Sequence, residues 1–347
     1  MRPDPRCSTT SSRGTCAWAL TAFLLAATGG CAETETVDSI AAALTASVPA
    51  DRAALALHWA PIHYQDVDQT GSHALGGRAD YITRFDFDNN LVGNDNWDHA
   101  GNSSFPLAAH VYFSVVETET HWFIIYMFFH PRDWSDNVVD AEHENDSEGV
   151  LITVARNGSV YGVLKSAVTV AHRDFFSYLP AGGDWEEGAE DLDGTLSMES
   201  WSGNPHPVTA QQAKGHGLKA RPYYNIDGDG VSYYPTLNLA EVPVGPNDRG
   251  VRYKLVDIFE HLGLWGQRGT RSLFSSFGTF SGNSSGGCGA GPTACETNAA
   301  NAPWGWDDHD DVPRRGAMAT DPAGLVTEYF TIPEEVSFDY TFNPYRL

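Results

Sequence analysis

The chain has 347 residues and is strongly acidic, with 45 Asp and Glu against 21 Lys and Arg and a formal charge of −24. Hydrophobic residues make up 41% of it, which is enough for a packed core and excludes a wholly disordered protein. The negative charge argues against nucleic acid as a partner, and the five cysteines lack the spacing of a zinc finger or a disulfide-rich scaffold.

The first 30 residues have the pattern of an export signal. Three arginines precede an apolar stretch, residues 17–27. This stretch has the length of a signal-peptide core and is too short to span a bilayer. Small residues then lead to Cys31, as in the cleavage box of bacterial lipoproteins, although Thr28 replaces the usual aliphatic residue. We therefore expect an exported protein, either secreted or lipid-anchored through Cys31 at the bacterial cell envelope.

The mature chain would begin with a tether, residues 31–50, followed by a single domain over residues 51–347. Residues 1–30 hold three Arg and one Asp, so the chain without them has a charge of −26. Such a surface repels anionic lipids and suits divalent cations and neutral glycans. Cys288 and Cys295 flank a short loop, and in an oxidising compartment we expect a disulfide between them, with two free thiols as the alternative.

Strand patterns are clearest in the middle of the chain. Residues 109–116 and 120–129 are rich in β-branched and aromatic side chains and are joined by a short polar linker, which predicts a β-hairpin. Residues 149–156 and 159–171 predict a second hairpin around the two-residue turn Asn157-Gly158.

Helical patterns are few. Apolar residues at helical spacing predict one helix over residues 253–264. The remainder is rich in Gly, Asn and Pro and is expected to form long loops. We therefore predict a mainly β fold, an antiparallel β-sandwich with long loops and few short helices.

An acidic segment, residues 130–148, lies between the two hairpins. Carboxylates crowded between two apolar strands repel one another, and a divalent cation would stabilise them. Mostly oxygen ligands favour Ca²⁺, Mg²⁺ or Mn²⁺ over zinc, and Ca²⁺ or Mg²⁺ above all. Within the segment, His143, Asp146 and Glu148 form the pattern H-x-x-D-x-E. Asp146 and Glu148 are two apart and would point the same way in a strand. The alternative is a solvated acidic loop.

This pattern resembles the heptapeptide G-H-R-H-D-W-E of necrosis-inducing (NPP1-like) proteins and the H-V-G-D-W-E stretch of the Vps62-like family. The former are secreted β-sandwich proteins that recognise sugar head groups of plant sphingolipids and damage membranes. The resemblance implies a divalent-cation site of His143, Asp146 and Glu148, with Asp133 or Asp136 as an upstream ligand. Four other positions of the heptapeptide differ, and this chain has there Glu142, Glu144, Asn145 and Ser147.

A second stretch has the ligand spacing of a calcium loop. Asn225, Asp227 and Asp229 alternate as in the first half of an EF-hand loop, and a glycine occupies the sixth position. Thr236 stands where an EF-hand has Glu, so we expect a structural Ca²⁺ site outside that fold, with an Asp-Gly turn as the alternative. Residues 66–71 are a poorer copy of the same pattern.

Aromatic and acidic residues also occur together near the C-terminus. Trp304 and Trp306 adjoin Asp307 and His309. Aromatic faces beside hydrogen-bonding groups suit sugar rings, so we expect these residues, together with Trp134, to bind a glycan. The alternative is that the tryptophans anchor long loops to the core.

These patterns predict an exported protein that uses a divalent cation to recognise a polysaccharide or a glycolipid head group. It would meet a membrane only through a lipid anchor or such head groups. The alternative is a glycan-cleaving hydrolase or lyase in which Glu148 works with Asp146 or with the carboxylates of residues 307–311, or in which His130 or His143 removes a proton. A membrane-damaging protein of the necrosis-inducing type is a further alternative.

Overall fold

The computed structural model describes residues 51–136, 142–282, 300–310 and 313–346. The predicted export signal, Cys31, the tether and the Cys288–Cys295 pair lie outside these residues. The described part contains four short α-helices, α1 (Arg52–Trp59), α2 (Asn96–Ala100), α3 (Ala317–Thr320) and α4 (Pro322–Tyr329). None of its helices is long and apolar enough to cross a membrane.

The strands of the described part are β1 (Ile62–Asp66), β2 (His110–Thr118), β3 (His121–Asp133), β4 (His143–Ala155), β5 (Val163–Ala171), β6 (Asp174–Pro180), β7 (Glu186–Glu187), β8 (Gly194–Leu196), β9 (Met198–Trp201), β10 (Asn204–Gln211), β11 (Leu218–Ala220), β12 (Gly230–Thr236), β13 (Val251–Asp257), β14 (Phe274–Ser276), β15 (Thr279–Phe280), β16 (Phe330–Thr331) and β17 (Tyr340–Phe342).

Thirteen of these strands form one mixed sheet. Its order is β11-β10-β1-β12-β13-β2-β3-β4-β5-β6-β8, with β9 beside β10 and β17 beside β2. The pairs β1–β10, β12–β13, β13–β2 and β6–β8 are parallel, and the others are antiparallel. β11, at one end, lies against β5 and β4, so the sheet curls back on itself. The prediction of a mainly β fold with few short helices is confirmed, and the sheet is mixed rather than wholly antiparallel.

Both predicted hairpins are present. β2 pairs antiparallel with β3, and β4 pairs antiparallel with β5. β4 begins at His143, six residues earlier than the pattern indicated, so the H-x-x-D-x-E segment belongs to a strand. The expected two-residue turn is wrong, because residues 156–162 connect β4 to β5.

The central strand β3 is buried on both faces, which explains its unbroken apolar sequence. Side chains alternate across a strand, so each face of β3 packs into a different core. The first core takes Trp122, Ile124, Tyr126 and Phe128. The second core takes Phe123, Ile125, Met127 and Phe129.

The helix predicted over residues 253–264 is wrong. This stretch begins within β13, which is parallel to both of its neighbours, β12 and β2. Tyr253 and Leu255 face the first core, whereas Val256 and Ile258 face the second. Apolar residues on both faces of a buried strand can reproduce the spacing of a helix, and the sheet pairing decided between the two.

Helix α1 covers the first core from one side. The side chain of Asp51 accepts a hydrogen bond from the Ala54 N–H at 2.8 Å and so caps the helix. Leu55, Ala56 and Trp59 are buried in the first core. This packing fixes the start of the chain that enters β1.

Candidate functional site

A cavity of about 430 Å³ opens where β3 ends and β4 begins. Acidic residues and histidines of β3, β4 and the β5–β6 turn form one side of it, and residues that follow β14 form the other. Its lining consists of Asp133, His143, Asp146, Ser147, Glu148, His172, Arg173, Thr279, Ala300, Asn301, Trp306, Asp307, His309 and Arg315.

The pairing of β3 with β4 brings the acidic residues to this cavity. Asp133 lies opposite His143 in the register, and Asp146 and Glu148 are on one face of β4, as expected for residues two apart. His143 is an odd number of residues from them, and a regular strand would turn it to the other face. Asn145, which lies between, has a φ of +59°, a conformation that asparagine tolerates, and this break in the extended backbone accompanies the convergence of all four side chains.

Glu148 is almost completely buried at the cavity wall, with 3% of its surface exposed. Its Oε1 accepts a hydrogen bond from the backbone N–H of His172 at 2.8 Å, and its Oε2 has no hydrogen-bond partner in the described part of the chain. Burial, reinforced by the charges of Asp146 and Asp133, raises the pKa of Glu148 well above its ordinary value. A buried carboxylate oxygen in this state requires either a proton or a cation.

The pKa of Asp146 is shifted in the opposite direction to that of Glu148. Burial would raise its pKa, but the hydrogen bond and charge of His216, with His143 and His172, bring the pKa below its ordinary value. Nδ1 of His216 donates to Asp146 Oδ2 at 2.9 Å, and the Ser147 N–H donates to Oδ1 at 2.8 Å. Burial would lower the pKa of His216, but its two carboxylate partners raise it to about 9. Asp146 is therefore held ionised.

Asp133 and His143 form a second acid–imidazole pair. Asp133 Oδ2 lies 3.4 Å from His143 Nε2. Burial raises the pKa of Asp133, the nearby His143 opposes this, and the charge of Asp146 adds to it. Burial and the charge of Asp146 thus disfavour the ionised forms of Asp133 and Glu148, and a cation bound between these groups would relieve this.

Seven residues predicted from the sequence lie together in this cavity. They are Asp133, His143, Asp146, Glu148, Trp306, Asp307 and His309. Asp307 and His309 are exposed at the mouth, whereas Trp306 is buried and its Nε1–H donates to the Ser147 carbonyl at 3.2 Å. The roles assigned to them stay predictions, since placement alone does not test them.

Two other predicted residues of the acidic segment lie outside the lining. His130 is fully buried, and its ring stacks on that of His216 with centroids 3.7 Å apart. Asp136 pairs with Lys214 Nζ at 3.0 Å. Of the two upstream aspartates left open by the sequence, Asp133 is the one that reaches the cavity.

The other two predicted sugar-binding tryptophans, Trp134 and Trp304, are buried away from the cavity. Trp134 is 1% exposed, and its Nε1–H donates to Asp80 Oδ1 at 2.8 Å. Trp304 is 2% exposed and packs in the second core with its ring centroid 4.9 Å from that of Trp265. Both anchor loops to the core, the alternative considered above, and neither has a face open to a sugar.

The calcium-loop stretch lies at a separate groove of about 570 Å³. Asp227 and Asp229 line it opposite Asp66 and Asp68, so the two calcium-like segments meet there. The Asp227 N–H donates to Asp66 Oδ1 at 3.2 Å. Asn225 does not line this groove, and cation binding there stays a prediction.

Several residues of the site had no local sequence pattern. His216 follows β10 and Arg315 lies near the C-terminus, and only the fold brings them to Asp146 and the cavity. The expected two-residue turn would have paired Glu148 with residue 167, whereas the observed register pairs Val150 with Thr169 and places the residues after β5, including His172, beside Glu148.

No family model and no curated protein matches the chain. Similar solved structures include a toxin fold for microbial attack and plant defense, at 17% identity over 67% of this chain and 84% of that one, with a TM-score of 0.33. NLPPya in complex with glucosamine is 16% identical over 82% of this chain and 94% of that one, with a TM-score of 0.35.

A third similar structure is Necrosis and Ethylene inducing Protein 2 from the causal agent of cocoa's Witches Broom disease. It is 13% identical over 60% of this chain and 76% of that one, with a TM-score of 0.27. Necrosis-inducing proteins are thus among the structural neighbours, as they are the family that the H-x-x-D-x-E segment resembles. Likeness at this level assigns no function, which has to come from the residues of the cavity.

Proposed function

We propose that this chain is an exported protein that binds a divalent cation through Asp133, His143, Asp146 and Glu148 and uses that site to recognise a glycan. The observation that supports it most is the convergence of these four side chains on one cavity, with Glu148 Oε2 lacking a hydrogen-bond partner in the described part of the chain. The convergence is not a consequence of composition, because acidic residues of a solvated loop would point apart.

The residues present fit a divalent cation. Three carboxylates and one imidazole make a mostly oxygen donor set, which favours Ca²⁺ or Mg²⁺. Glu148 supplies a buried oxygen that needs a positive partner. When bound, the cation would supply coordination positions for sugar hydroxyls.

The rest of the cavity suits a polar, ring-shaped ligand. Trp306 is 3% exposed but lines the cavity, and it contributes a small apolar part of the wall beside the polar groups. Asp307 and His309 at the mouth, with Asn301 deeper in the lining, offer hydrogen-bond acceptors and donors for hydroxyl groups. Arg315 is held in place by Thr279 and Asn301 at 2.8 and 2.7 Å and borders the same side.

The test is retention of the purified chain on a panel of immobilised polysaccharides and glycolipids, first with Ca²⁺ or Mg²⁺ and then with a chelator. We expect retention on at least one glycan that the chelator abolishes. Glu148→Gln should lose this retention, and Glu186→Gln, which changes an exposed glutamate of β7 outside the cavity, should keep it. Retention that survives complete metal removal would refute the proposal.

A second candidate function, glycan cleavage, is favoured by one specific observation. The pKa of Glu148 is raised whereas that of its neighbour Asp146 is lowered, so one carboxyl can hold a proton while the other stays ionised. This is the division of roles that acid–base hydrolysis of a glycosidic bond needs. Release of new sugar ends from the same panel, lost in Glu148→Gln, would support cleavage; an absence of release from every substrate would leave the protein as a binder.

A further inference from the structure

His216 lies between two buried carboxylates behind the cavity. Its Nδ1 donates to Asp146 Oδ2 at 2.9 Å, and its Nε2 lies 3.3 Å from Asp80 Oδ1. His216 and Asp80 are fully buried, and Asp146 is 5% exposed. Neither His216 nor Asp80 lines the cavity, so both reach the candidate cation site only through Asp146.

Asp80 is itself held from three further sides. The indole N–H of Trp134 and the backbone N–H of Lys214 donate to its Oδ1 at 2.8 and 2.9 Å. The backbone N–H of Asp68 donates to its Oδ2 at 2.9 Å. A buried carboxylate with this many donors has one well-defined orientation, and it presents a fixed negative charge to His216.

The ring of His216 is also fixed in its plane. The ring of His130 lies parallel to it, with an angle of 4° between the planes and centroids 3.7 Å apart. His130 Nε2 lies 3.1 Å from Gln211 Oε1, and the other end of the same amide donates to the His216 carbonyl. His216 thus has its backbone, its ring plane and both ring nitrogens constrained.

We propose that His216 and Asp80 are positioning residues for the cation site: Asp80 orients the imidazole of His216, and His216 holds the carboxylate of Asp146 at the cavity. This inference rests on the proposed function, in which Asp146 is a cation ligand. Groups that hydrogen-bond to a ligand side chain set its orientation, and their loss typically weakens metal binding about 10- to 100-fold. The same bond favours one orientation of the Asp146 carboxylate.

Two substitutions at His216 separate the contacts of its two nitrogens. The amide nitrogen of an asparagine falls near the position of Nδ1 and can still donate to Asp146. The amide nitrogen of a glutamine falls near the position of Nε2 and faces Asp80 instead. We therefore expect His216→Gln to weaken Mg²⁺ or Ca²⁺ binding about 10- to 100-fold and His216→Asn to stay within a few-fold of the unmodified chain.

The measurement is the Kd for Mg²⁺ and Ca²⁺ by isothermal titration calorimetry on the full chain, with the melting temperature of each variant recorded beside it. A purely structural role would lower the melting temperature of both variants without separating their Kd values. Asp80→Asn leaves the His216–Asp146 contact in place and removes the charge behind it, and we expect a several-fold weaker Kd. Should His216→Gln fail to fold, an unchanged Kd in Asp80→Asn overturns the inference.

The two proposals fail in different ways. If the unmodified chain binds neither cation, the proposed function and the positioning role are both refuted. If it binds a cation and His216→Gln binds equally tightly, the positioning role alone is refuted. A Kd that weakens in His216→Gln and is restored in His216→Asn supports both.

Discussion

At the scale of one residue, the burial of Glu148 creates a carboxylate that needs a positive partner. The strand β4 carries it into the cavity wall, one oxygen accepts the His172 N–H, and the other has no partner in the described part of the chain. An ionised carboxylate here is destabilising without a counter-charge, because burial removes water and Asp146 lies nearby with its own charge. The same residue should therefore affect stability in opposite directions with and without a cation.

We predict that Glu148→Gln does not lower the unfolding free energy of the cation-free chain but reduces the gain in unfolding free energy when a cation is added. Without a cation, the variant should be at least as stable as the unmodified chain, because an uncharged amide replaces a buried carboxyl. With cation at 100 times its Kd, the unmodified chain should gain about 2.7 kcal/mol of unfolding free energy and the variant much less. Thermal melts with Ca²⁺ and with chelator check this, and equal gains in both proteins would contradict it.

At the scale of elements, the close approach of β4 to the C-terminal loop shapes the cavity. Gly149 directly follows Glu148, and a Cβ added there would lie 2.2 Å from Trp306 Cη2 and 2.4 Å from the Tyr126 carbonyl oxygen. Neither contact is possible for a side chain, so this strand position requires glycine. Trp306 can therefore pack directly on β4 and close one side of the cavity.

Gly149→Ala should consequently displace Trp306. Overpacking of this kind costs about 1–3 kcal/mol of unfolding free energy, and the indole would move from the cavity wall. Urea unfolding and tryptophan fluorescence measure the two effects. Gly158→Ala is a useful comparison, since its Cβ would meet no atom within 4 Å, although its φ of +85° makes that substitution mildly strained. An unchanged fluorescence spectrum in Gly149→Ala would argue against the packing of Trp306 on β4.

For the whole molecule, buried histidines make the fold sensitive to acid. Burial lowers the pKa of His63 to about 3 and that of His110 to about 4. His63 stacks on Phe128 with centroids 4.1 Å apart, and its Nδ1 lies 3.0 Å from Thr209 Oγ1. Unfolded histidine has a pKa near 6.5, so at lower pH the unfolded chain binds protons that the folded chain excludes.

The stability that these two histidines contribute should therefore be fully present above pH 6.5 and be lost as the pH falls towards 4. Each such histidine contributes up to about 1.4 kcal/mol per pH unit in this range. His63→Asn removes one titrating group and should flatten the dependence of unfolding free energy on pH. His261→Asn changes an exposed histidine and serves as the matched control, and urea titrations at pH 7, 6, 5 and 4 compare the two variants. Parallel slopes in all proteins would contradict the assignment of His63.

The sequence by itself determined the features that depend on neighbours along the chain. Alternating or unbroken apolar runs predicted the two hairpins and the mainly β class. A strand with one buried face has apolar residues at every second position, and a strand buried on both faces has them throughout. It also predicted that Asp146 and Glu148 share a face, since that requires only the period of a strand. The helix expected over residues 253–264 was wrong because a strand buried on both faces has no period that distinguishes it from a helix.

The tertiary structure alone decided which side chains meet. Asp133 lines the cavity and Asp136 does not. Trp134 and Trp304 lie in the interior. His216 contacts Asp146 although the two are 70 residues apart in the sequence. These outcomes depend on contacts between distant segments, and their energies come from burial and from charges that are close only after folding. The types of residue for a cation site can thus be recognised in a linear sequence, but their selection and their pKa values depend on the folded sheet that surrounds them.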